Sequence, residues 1–227
     1  PGVAHLKDIE LPWLAEIGAT AMVNVSGHSF DEYVAVIEAL EEAPVAAYEV
    51  NISCPNVDAG GMTMGCHVPS VEKVVSLCRA ATKRPLIVKL TPNVTDITEI
   101  ARSVEDAGAD AVSLINTLLG MAIDPYKRKP ILARGVGGLS GPAVKPVALR
   151  MVWEVYKALD IPVLGMGGIT CGLDAIEFML AGASAVAVGT ANFMNPQAAL
   201  EVVSGIEAYC IEEGVNDVTE LIGALNC

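Results

Sequence analysis

Long apolar runs, basic clusters and paired cysteines are all missing from this chain of 227 residues, and each absence excludes a class of function. No uninterrupted apolar stretch reaches the ~18 residues a membrane span needs. The mean hydropathy of +0.49 therefore belongs to a buried core, and no membrane partner is expected. Lys and Arg number 14 against 27 Asp and Glu, a formal net charge of −13. With no basic run to offset it, such a chain repels a phosphate backbone, so nucleic acid is not an expected partner. The six cysteines stand far apart without a C-x-x-C, which argues against a zinc knuckle or a redox pair. The adjacent Cys66 and His67 are too few ligands for a metal site, and no metal is expected. The opening PGVAHLKDIELPW has no basic region leading into an apolar one, so no secretory signal is read there. Free thiols in a reducing cytoplasm fit this usage.

What is present is a repeated grammar. Hydrophobic residues make up 52% of the chain, ample for one large α/β domain. IGATAMVNV from Ile17, AGADAVSLIN from Ala107 and AGASAVAVGT from Ala181 each place a helix-ending Gly before a β-rich run. APVAAYEVNIS, RPLIVKLTPN and IPVLGMGGIT use Pro44, Pro85 and Pro162 for the same stop. Six strands are expected, over residues 20–25, 46–52, 86–90, 111–116, 162–166 and 184–189. Amphipathic stretches such as VTDITEIARSVEDAG run between them with helical period. Strands apolar on both faces, such as AVSLI and SAVAV, point to a parallel sheet covered by helices. A doubly wound sheet and a (βα)8 barrel both fit this order. Glycines tip the choice to the barrel: GMGG at 165–168 and Gly189-Thr190 end the last two strands, where barrels place a phosphate site. The segment 123–146 reads as an insertion or lid over the same face.

Several strand ends carry polar chemistry. In LIVKL, Lys89 faces opposite to Leu86, Val88 and Leu90, and a lysine inside an apolar strand is costly unless it meets an anion or polar ligand. Asn24, Asn51 and Asn116 close other strands, and such amides suit a planar heterocycle with C=O and N–H edges. Cys54 follows Asn51 in EVNISCPNVDAGG, ahead of the pair Gly60-Gly61. No histidine is near it in sequence, so acyl transfer is poorly supported. Taking a proton from carbon while a cofactor takes hydride needs no such partner.

These residues resemble a family, the dihydroorotate dehydrogenases, FMN enzymes whose soluble members carry an N-x-S-C-P-N loop. NISCPN matches it in full, and VKLTPNVTDI, INTLLG, GGLSGPAVKP, GMGGI and AVAVGTANF match further blocks. INTLLG and GGLSGPAVKP look most like the class that works with a second subunit and passes electrons to NAD. The resemblance implies oxidation of dihydroorotate to orotate in pyrimidine biosynthesis, on a (βα)8 TIM barrel. It implies Cys54 as the catalytic base, with Asn51, Asn56, Asn116 and Thr117 binding the pyrimidine. Asn24, Lys89, Ile115, Gly141, Gly167, Gly168, Gly189 and Thr190 would bind FMN. FAD and an iron–sulfur cluster are expected on a partner subunit, and a homodimer of this chain. The resemblance also implies that residues 1–227 form one domain that lacks the first two βα units and keeps about six of eight. The alternatives are a dihydropyrimidine dehydrogenase-like reductase of uracil or thymine, and an inactive fragment or scaffold subunit.

Overall fold

The computed structural model describes residues 2–53 and 64–226. Cys54, Asn56 and the Gly60-Gly61 pair lie outside these described residues. The chain divides into two compact units: residues up to Leu90 with Asp96–Ser113 and Ala158–Pro162, and Thr91–Thr95 with Leu114–Lys157 and residues from Val163 onward.

The first unit opens on a helical stretch, α1 (Val3–His5), a π turn (Leu6–Glu10) and α2 (Leu11–Glu16). Strands β1 (Met22–Val25), β2 (Ala47–Asn51), β3 (Leu86–Lys89) and β4 (Ala111–Leu114) follow, with α3 (Phe30–Leu40), α4 (Val68–Ala81) and α5 (Ile97–Asp106) between them. β1 pairs with β2, β2 with β3 and β3 with β4, all parallel. Side-chain caps start α3 and α5: Ser29 accepts the Glu32 N–H at 3.4 Å and Asp96 the Thr98 N–H at 2.8 Å, each satisfying a donor that the helix start leaves unpaired. The Gly-Ala stops hold as well, because Gly18, Gly108 and Gly182 have φ of +74°, +97° and +115°, a backbone that side chains resist. One sheet face buries Tyr48, Val50, Leu86, Val88 and Val112 completely. Helix α4 packs on α3 and α5 and buries Val71, Val74, Val75 and Cys78.

In the second unit an antiparallel ribbon comes first. β5 (Leu118–Met121) pairs with β8 (Val136–Leu139), and β6 (Ile123–Asp124) with β7 (Lys129–Pro130). The ribbon therefore starts before residue 123, and residues 142–146 already belong to a 3-10 turn (Pro142–Val144) and the start of α6 (Lys145–Tyr156). Then come β9 (Val163–Met166), α7 (Gly172–Leu180), β10 (Ala185–Ala187), α8 (Ala191–Met194) and α9 (Ala198–Glu213). β9 and β10 pair in parallel, Met166 opposite Ala187. Helices α7 and α9 touch backbone to backbone at Gly172 and Gly205, where a Cβ on Gly205 would sit 2.8 Å from the Gly172 Cα. Beside this crossing, Ile176, Met179 and Leu221 pack with Val186, Ile206 and Tyr209. All six expected parallel strands are found. Among the described residues no helix is long and apolar enough to cross a membrane.

Candidate functional site

Strand register decides which side chains gather at the ends of β1–β4. Asn24 stands opposite Glu49, and Glu49 opposite Ile87; Asn51 stands opposite Lys89, and Lys89 opposite Ser113. Because side chains alternate along a strand, these residues share the face opposite Tyr48, Val50 and Val88. Glu49 is 5% exposed, and a carboxylate taken from water needs donors around it. Ser113 donates its hydroxyl to Oε1 at 2.6 Å, the Asn24 amide donates to Oε2, and the Lys89 ammonium lies 3.7 Å from Oε2. One carboxylate thus links all four strands. Lys89 meets an anion, the condition under which a lysine is tolerated inside an apolar strand. Asn51 accepts the Ser53 N–H at its side-chain oxygen at 3.2 Å, and its carbonyl accepts the Tyr33 hydroxyl at 2.8 Å. The chain is therefore anchored just ahead of Cys54, which with Asn56 lies outside the described residues.

The second unit holds the other candidates. Ile115 is buried and donates its N–H to the Met166 carbonyl at 2.9 Å. The Asn116 side chain accepts the Thr117 N–H at 2.8 Å, and Asn93 clasps the same turn by donating to the Thr117 carbonyl and accepting the Leu119 N–H, both at 3.0 Å. Thr117 also fills the space over Gly138, where a Cβ would collide with its side chain. Asn116 and Thr117 therefore stand at the root of the ribbon.

Gly141, Gly167 and Gly168 take φ of +88°, +125° and +86°. A Cβ on Gly168 would come within 2.8 Å of the Gly141 carbonyl oxygen and 3.2 Å of the Lys145 nitrogen. The β9–β10 register carries Gly167-Gly168 and Val188-Gly189 out of the strands side by side, and a Cβ on Gly189 would meet nothing within 4 Å. Thr190 follows it, exposed. A backbone bare of side chains is the kind that can offer N–H donors to phosphate oxygens. The loop is braced from behind: Lys145 reaches Asp174 at 2.6 Å and Glu177 at 2.8 Å, and Asp174 accepts the N–H and hydroxyl of Thr170 at 2.8 and 2.7 Å. Burial alone would raise the Asp174 carboxyl, but donors from Lys145 and Thr170 outweigh it and hold it well below the usual carboxylate range. Bonds to Asp174 first and Glu177 second raise Lys145.

Glu49, Asn93 and the Lys145–Asp174 brace are the residues that sequence reasoning passes over. Glu49 has the signal that singles out Lys89, a charge alternating with apolar residues in a strand. Asn93 and the brace act between segments far apart in sequence and leave no local pattern.

Comparison with known proteins adds the rest. A profile of the family described as dihydroorotate dehydrogenase matches residues 1–209. The chain is 55% identical over 224 residues to the dihydroorotate dehydrogenase B (NAD(+)) catalytic subunit of Desulforamulus reducens, covering 98% of this chain and 74% of the relative. It is 57% identical over 225 residues to the protein of the same name from Geotalea uraniireducens, covering 99% and 74%. A crystal structure of DHODH in complex with ferulenol from Eimeria tenella superposes with a TM-score of 0.77 at 22% identity, over 98% of this chain and 67% of that one. The fold class is accordingly that of the (βα)8 barrel, to which the described residues contribute six parallel strands.

Proposed function

The chain belongs to the dihydroorotate dehydrogenase family, and from that premise we propose that it oxidises dihydroorotate to orotate in pyrimidine biosynthesis. The observation that carries the reading is the row Asn51, Lys89 and Ser113 across β2–β4, in which Asn51 is the first residue of NISCPN. FMN, when bound, supplies the hydride acceptor. The glycine cradle fits its phosphate, with Gly141, Gly167, Gly168, Gly189 and Thr190 as the binding residues. Lys89, Asn24 and Ile115 hold the flavin ring, Lys89 by its pyrimidine edge, where a fixed cation favours negative charge. Asn51, Asn56, Asn116 and Thr117 hold the substrate through its carbonyl and N–H groups. Cys54 takes the C5 proton of dihydroorotate as the C6–H bond breaks. The segment 123–146 serves as a lid that keeps water from the reacting bonds.

The words "catalytic subunit" in the relatives' names support a heteromeric assembly, in which the partner carries FAD and an iron–sulfur cluster and electrons pass to NAD. A homodimer of this chain forms the centre of that assembly, in the cytoplasm. Anaerobic rapid mixing tests the reading. Dihydroorotate should bleach the flavin absorbance of the holoenzyme, and Cys54→Ser should slow that bleaching by ~10²–10⁴-fold near neutral pH, since serine is a far weaker acid and a poor base there. Flavin binding should persist in the variant. A bleaching rate within about threefold of wild type, well short of the ~10²-fold floor for a lost general base, would remove Cys54 from the reaction.

A further inference from the structure

Of the two charged side chains described on the polar face of β1–β4, Glu49 and Lys89, Glu49 has no place in the reaction described above. It is also the most deeply placed acid of that face, at 5% exposure. Its two oxygens are taken by different neighbours: Ser113 donates to one at 2.6 Å, and the other receives the Asn24 amide with the Lys89 ammonium 3.7 Å away. Two of those three neighbours, Asn24 and Lys89, are the first-unit residues assigned to the flavin ring. A carboxylate with the sole task of tying strands together would not need the two groups that the proposed function assigns to the flavin.

We infer that Glu49 is a positioning residue: it orients the Asn24 amide and the Lys89 ammonium and offsets the positive charge that Lys89 presents to the flavin, so that the carboxylate helps set the cofactor's reduction potential. The inference rests on the functional reading above. Its physical basis is short-range electrostatics in a site partly removed from water, where an anion beside the cation weakens the field at the ring and an isosteric neutral group restores it. Glu49 need not touch flavin or substrate to act in this way.

The test is the two-electron midpoint potential of the flavin in the holoenzyme, measured by dye equilibration, for wild type, Glu49→Gln and Glu49→Asp. Gln keeps the shape and removes the charge, and is expected to shift the reduction equilibrium at least about tenfold toward the reduced form, a rise of about 30 mV for two electrons. Asp keeps the charge and is expected to stay within about threefold of wild type, the size of shift too small to separate from context effects. A purely structural Glu49 would lower thermal stability in both variants and leave the potential of the flavin that remains bound unchanged. A Gln potential within threefold of wild type, or below it, therefore overturns the inference. Should the Gln variant fail to fold, Ser113→Ala decides: removing one neutral donor leaves the carboxylate less compensated, so the potential should fall, and a rise or no change overturns the proposal. A wild-type protein that takes up no flavin would bring down the functional reading and this inference together. Flavin present with an unmoved Gln potential brings down the inference alone.

Discussion

Asp174 and Lys145 show how one contact sets a pH window for stability. The Asp174 carboxyl is held below its ordinary range, so its contribution is complete above the unfolded value of ~3.9 and drains away as pH falls toward the lowered folded value. Lys145 shifts upward, so its contribution is complete below ~10.4 and is lost as pH rises through the raised value. Asp174→Asn should cost about 1–3 kcal/mol near neutral pH, as expected for a partly buried charged hydrogen bond. Urea denaturation should show the gap from wild type narrowing below about pH 4, and a gap that stays constant down to about pH 2 would deny the carboxylate this role. Cysteines make a second case. Burial pushes the Cys78 thiol up to about 12, whereas Cys171 is exposed. Because the thiolate is the reactive form, iodoacetamide should modify Cys171 in the native protein and Cys78 only after unfolding; peptide mass mapping reads the order, and early labelling of Cys78 would contradict its burial. At this scale Lys89 was legible in sequence, because an isolated charge in LIVKL breaks the apolar alternation. Glu49 was equally visible in AYEVN, yet its significance depends on Ser113, 64 residues away.

Elements were the most readable level, for reasons that lie in the backbone. Three Gly-Ala stops became left-handed glycines and three Pro stops became strand entries, since both signals act within a few residues. The ribbon was harder to delimit. Strands such as VGGL (Val136–Leu139) offer little side-chain alternation, and their place is set by the packing of Gly138 on Thr117. The helical start Val3–Glu16 is likewise hard to see in sequence, its pattern blurred by a π turn and by Pro12. The crossing of α7 and α9 belongs to the same hidden class, because two glycines 33 positions apart (Gly172 and Gly205) matter only once the helices meet. Gly205→Ala adds a methyl 2.8 Å from the Gly172 Cα and should destabilise the fold by about 1–3 kcal/mol, in spite of alanine's better helix propensity. Equal or greater stability of that variant by chemical denaturation would mean that the helices part without cost.

At the scale of the whole molecule, the anionic character and the glycine cradle pull in opposite directions. A formal net charge of −13 disfavours any phosphate in its general field. On the function proposed above, retention of FMN depends on local backbone donors around Gly141, Gly168 and Gly189, and this can be separated from ring binding with two ligands. FMN and riboflavin share the ring and differ in the phosphate. A ligand at ~100 times its Kd stabilises the native state by about 2.7 kcal/mol, which is about 5–10 °C in Tm for a chain of this size. FMN should give a rise of that order in the assembled protein, and riboflavin at the same concentration a clearly smaller one. In Gly168→Val the new side chain meets the Gly141 carbonyl oxygen at 2.8 Å and strains a backbone at φ +86°. The variant should lose the advantage of FMN over riboflavin, whatever its own Tm, because the readout is the ligand-induced increment. Equal increments for the two ligands in wild type, or an FMN advantage that survives Gly168→Val, would show that the cradle does not hold the phosphate and that the ring contacts alone retain the cofactor.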